Sequence, residues 1–105
     1  MDKSKLCYIV LTAVIKKENH TYVASCLELG VASQGITIKR ANNNLKQALK
    51  LYIDSTQELG IWDDIRKEKN IKVLDSIPAK EEVKNIYTET NQYTTIISEP
   101  MPIFC

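Results

Sequence analysis

The stretch Tyr22-Val23-Ala24-Ser25-Cys26-Leu27-Glu28-Leu29-Gly30-Val31-Ala32-Ser33-Gln34-Gly35-Ile36-Thr37 decides how this chain folds. Its opening residues, together with the preceding Thr21, form a run Thr21 to Cys26 with the β-branched and aromatic content of a strand. Gly30 and Gly35 bracket a shorter run, Val31 to Gln34, because glycine permits a sharp change of chain direction on either side of it. Thr37 then has the side chain of a helix N-cap.

Upstream, Lys17-Glu18-Asn19-His20 is a charged, turn-rich break. It follows Leu6 to Lys16, a run dense in β-branched residues and free of Gly and Pro. These two segments read as an antiparallel hairpin, and Val31 to Gln34 adds a third strand to make a meander. Both faces of the first strand are largely apolar: Cys7, Ile9, Leu11, Ala13 and Ile15 on one, Tyr8, Val10, Thr12 and Val14 on the other. A strand open to water on one side should alternate more cleanly, so a second subunit is expected to cover the other face.

Downstream of Thr37, the residues Ile38, Ala41, Leu45, Ala48, Leu49, Tyr52 and Ile53 recur at three- and four-residue steps, which predicts a long helix ending near Leu59 and Gly60. Arg40 stands where a capping box would have Glu or Gln, and Asn42-Asn43-Asn44 are poor helix formers. Packing on the sheet must therefore hold this helix. A short second helix is expected over Ile61 to Lys69, a brief strand over Ile71 to Leu74, and a last strand over Tyr93 to Ser98 that stops before Pro100 and Pro102. Ala79 to Asn91 is ambiguous, with Ala79 to Asn85 compatible with a helical turn. The expectation is one α+β domain over 1–105, with a β-β-β-α-β core over 6–60 and an extension over 61–105.

The 105 residues carry 14 Lys and Arg against 13 Asp and Glu, and 44% are hydrophobic. That composition suits one globular domain and argues against disorder and membrane spans. A balance of +1 lacks the basic excess on which phosphate binding depends. The apolar N-terminal run alternates like a strand and does not resemble a signal peptide, so a cytoplasmic location is expected.

Three cysteines and one histidine cannot build a four-ligand zinc site within one chain. Cys26 should lie roughly opposite Leu11 in the hairpin, too far from Cys7 for a disulfide. Both cysteines read as small buried apolar residues, and Cys105 reads as a terminal thiol without a partner. His20 falls in an exposed turn, Asp63-Asp64 suits the first turn of a helix, and the sequence has neither a phosphate loop nor a nucleophile motif. Neither catalysis nor a metal or other cofactor is expected.

The quoted stretch, together with the helix carrying Ala41, Leu45, Ala48, Leu49 and Tyr52, closely resembles the signature of the HicB-like antitoxin family over roughly Tyr8 to Leu59. The resemblance implies a partial ribonuclease-H-like sheet with the helix on one face, and a small HicA-type, mRNA-cleaving toxin as partner. Tyr22, Glu28, Leu29 and Gln34 are the candidate contacts, with Glu28 offering a carboxylate to a basic RNA-binding surface. In place of the acidic residues common in the family, Ile38-Lys39-Arg40 follows the capping threonine. The C-terminal ribbon-helix-helix or helix-turn-helix module of longer relatives has no counterpart in 61–105, which speaks against an alternative role as a DNA-binding autoregulator. A stand-alone homo-oligomer without a toxin is the other alternative. Its candidate contacts are Tyr8, Val10, Val14, Tyr93, Thr95 and Ile97.

Overall fold

The computed structural model describes residues 5–77, 88–91 and 94–104. Its elements are β1 (Leu6–Glu18), β2 (Thr21–Cys26), β3 (Ala32–Gly35), α1 (Ile38–Glu58), α2 (Trp62–Glu68), β4 (Thr88–Asn91) and β5 (Thr94–Phe104). All strand pairings are antiparallel, in one five-stranded sheet of order β3-β2-β1-β5-β4. The class is α+β.

The meander forms where its residue types place it. Asn19 takes a left-handed conformation (φ 57°) in the tight turn, and Glu18 pairs with Thr21 across it. Cys26 faces Ala13, two residues beyond the expected Leu11, so the register still keeps Cys26 away from Cys7.

Thr37 caps α1 as expected: its Oγ1 accepts from the Arg40 N–H at 3.0 Å. Ala41, Leu45, Leu49 and Ile53 form the buried stripe against the sheet. The helix ends in a Schellman motif, in which the Gly60 N–H donates to Gln57 O and the Ile61 N–H to Thr56 O while Gly60 adopts φ 74°. Two of its poor helix formers are tethers to the sheet. Asn44 Nδ2 donates to the β3 carbonyl of Gln34 at 2.8 Å, and Asn42 Nδ2 donates to Glu99 on β5 at 2.9 Å.

The helix lies mainly over β3 and β2. Gly35 permits this close approach, since a Cβ there would fall 2.5 Å from Ala41 N and 2.8 Å from Arg40 C. A helix is about 10 Å across and five strands at ~4.8 Å spacing span about 20 Å. A helix drawn toward β3 therefore leaves much of β5 uncovered.

The C-terminal half departs from expectation in three places. β5 does not stop before Pro100; it runs through both prolines to Phe104 and pairs with β1 from Leu6↔Phe104 to Lys16↔Thr94. The reason is alternation. Tyr8 and Thr12 direct their backbone groups away from β5, to Leu74, Leu27 and the Glu28 side chain. Odd-numbered residues of β1 therefore bond β5, and Pro100 and Pro102, opposite Val10 and Tyr8, turn their missing N–H toward the outer edge. The expected strand over Ile71 to Leu74 reduces to a single bridge between Leu74 and Tyr8. Within the ambiguous stretch, Thr88–Asn91 forms β4 against the start of β5; Ala79 to Asn85, expected as a possible helical turn, lies outside the described residues. α2 forms close to its expected span, with Trp62 buried.

Cys7 corrects another expectation. It is buried, as expected, but it is disulfide-bonded rather than a packing thiol. Cys26 is free, and Cys105 lies outside the described residues. Extension of β5 past the prolines brings the end of that strand beside Cys7, which is opposite Ile103.

Candidate functional site

The sheet has two unlike faces. On the inner face Ile9, Leu11, Ala13 and Ile15 of β1 join Ala24 and Cys26 of β2 in the core beneath α1. On the outer face stand Tyr8, Val10, Thr12 and Val14 of β1, each partly exposed. Register places Val23 and Ser25 of β2, Ala32 and Gln34 of β3, and Ile96, Ser98, Pro100 and Pro102 of β5 on that same outer face. None of these is charged; the charges of β1 on this side, Lys16 and Glu18, sit at the hairpin tip. A water-facing sheet surface ordinarily carries charge at about a quarter of its positions or more.

Of the residues expected at an oligomer contact, Tyr8, Val10 and Val14 share this face. Thr95 and Ile97 do not: opposite Ile15 and Ala13, they lie on the helix side, and their neighbours Ile96 and Ser98 take the outer positions. The parity of the β1–β5 register causes this. Tyr93 lies outside the described residues.

The four candidate toxin contacts are not one patch. Tyr22 and Leu29 are half-buried and pack against the core, whereas Gln34 is exposed on the edge strand. Glu28 is engaged within the chain. The Thr12 N–H donates to its Oε1 at 2.8 Å and the Thr12 hydroxyl to its Oε2 at 3.0 Å, where pairing of β2 with β1 stops. Its carboxylate takes the place of a strand residue on β1. Sequence spacing alone could not show this, because the two residues meet only once the hairpin register is set.

Cys26 Sγ donates to the same Glu28 Oε1 at 3.6 Å. Burial pushes the Cys26 thiol above its ordinary range; the Glu28 charge raises it further, while backbone hydrogen bonds at Leu29 and Glu28 pull the other way. A raised thiol value means that the folded state retains its proton longer, so this group's contribution to stability falls as pH rises past the ordinary thiol range. Cys26 in the native protein is accordingly expected to react with an alkylating agent at least roughly tenfold more slowly than in denaturant. Equal rates in the two conditions would contradict the burial.

Among the described residues, no group of three or more His, Cys, Asp or Glu is placed to hold a metal ion, and no helix is long and apolar enough to cross a membrane. His20 is exposed in its turn. No protein-family model matches the chain, nor does any curated protein or solved structure.

Proposed function

We propose that this chain is a protein-binding domain of HicB-like, antitoxin type, acting as an assembly and neutralising a small HicA-type mRNA-cleaving toxin by direct contact. The observation that carries the binding role is the uncharged outer face around Tyr8, Val10 and Val14. Support for the antitoxin type is the resemblance of Tyr22 to Thr37 together with the local geometry of that segment: a three-strand meander, a glycine in close approach and a threonine-capped helix.

The edge at β3 and the part of β5 beyond β4 are both blunted, which favours association through the face. At β3, the outward carbonyl of Gln34 is taken by Asn44. At β5, Pro100 and Pro102 remove donors beyond the reach of β4. A stand-alone assembly without a toxin is favoured by one observation, the occupied carboxylate of Glu28.

Sedimentation of the full chain at micromolar concentration should give a dimer or larger species, and Val14→Glu should shift it to monomer. A monomeric wild-type chain would overturn the assembly. Co-expression with the basic HicA-type product of an adjacent reading frame should restore growth; persistent toxicity with both proteins made would leave the stand-alone reading in its place.

A further inference from the structure

Between α1 and β5 the inner face of the sheet holds a cavity of about 530 Å³. We propose that it is a binding site for a small uncharged molecule with an aliphatic body. Its walls are apolar, with Leu11 of β1, Leu49 and Ile53 of α1, and Ile97 and Met101 of β5. The volume falls within the ~300–1,000 Å³ of small-molecule sites.

The cavity is a partly open slot, with side-chain links between α1 and β5 near both ends. At one end Glu99 accepts from Asn42 and forms an ion pair with Lys46 at 3.1 Å. At the other, Gln57 Nε2 donates to the Phe104 carbonyl. From Asn42 to Gln57 the helix spans about 22 Å. These two links cross the line a continuous strand would take along the slot, and a helix about 10 Å across needs far more room than the slot offers. The occupant is therefore a small molecule and not a segment of a protein.

Its charge follows from the rim. Two cations, Lys46 and Lys50, stand beside two anions, Glu99 and Asp54. Lys46 is already paired, and Asp54 lies one turn from Lys50, so the rim presents no net charge to a ligand. A carboxylate or ammonium entering this apolar slot would lose its hydration without a dedicated counter-ion, whereas a hydroxyl or amide end could remain at the rim in water.

The test uses the full chain and the neutral fluorophore N-phenyl-1-naphthylamine, with 1-decanol, decanoate and decylamine as competitors. We expect saturable binding at one site, displacement by decanol, and competition by either charged analogue weaker by roughly tenfold or more. Ile97→Trp fills the slot from a half-exposed position and should weaken binding by roughly tenfold while leaving the thermal midpoint in place. Met101→Trp is the second filling variant and decides the matter if Ile97→Trp fails to fold. His20→Ala, at the exposed tip of the β1–β2 hairpin and away from the slot, should not change binding. Absence of saturable binding, retention of full affinity in a folded filling variant, or equal competition by the charged analogues would each overturn the proposal.

Discussion

Gly35→Ala is expected to destabilise the protein by about 3 kcal/mol, at the upper end of overpacking costs. The atoms an added methyl would meet are Ala41 N, Arg40 C and Ala41 Cα, at 2.5, 2.8 and 3.0 Å, all of them backbone. No rotamer change can relieve the clash, and the first turn of α1 would have to lift from β3. That movement would strain the Asn44–Gln34 tether and the burial of Ala41 together. For a domain of this size the loss corresponds to a fall in Tm of roughly 12–24 °C. Gly30→Ala is the contrast. Nothing lies within 4 Å of its added Cβ, but its φ of 71° makes a side chain strained, so about 1 kcal/mol is expected. Thermal and urea unfolding of both variants measures the difference; equal losses would contradict the close approach of α1 to Gly35.

Ile9→Ala should cost about 2–5 kcal/mol. Ile9 is fully buried on the inner face of β1, opposite Met101 but not itself a wall of the slot, so the methyl groups removed leave a void that packed neighbours cannot fill. Ile97→Ala, which loses the same atoms, should cost only about 1 kcal/mol, because its side chain is half-exposed and borders space that already exists. The ratio of the two losses tests whether β5 is as open as described. Comparable losses would mean that something covers Ile97 in solution.

Local chemistry was readable wherever a short span of chain determines it. Thr37 caps the long helix because a hydroxyl there reaches an N–H three residues on, and Gly60 ends it because a left-handed residue closes the last turn. The apolar stripe from Ala41 to Ile53 sits against the sheet for the same reason. Features that depend on a distant segment were not readable. Pro100 and Pro102 signal the end of a strand when read alone; they are tolerated because the β1 register sends both toward an open edge. Asn42 and Asn44 read as weak helix formers, and their use appears only when Glu99 and Gln34 arrive from other strands. Glu28 read as a solvent-facing contact because nothing near it in sequence announces Thr12 as its partner. The slot was invisible for a related reason: it results from where α1 sits across the width of the sheet, which no periodicity encodes.

The pairing of β1 with β5 joins residues almost a whole chain length apart, Leu6 with Phe104 at one end of the ladder. During synthesis the meander and α1 emerge before β5, so one edge of β1 stays open until β5 has left the ribosome. Loop closure over such a span slows folding relative to a design with local contacts. The nascent chain thus passes through a stage in which an apolar strand is unpaired on one side, when crowding by other copies is most hazardous and a chaperone most useful.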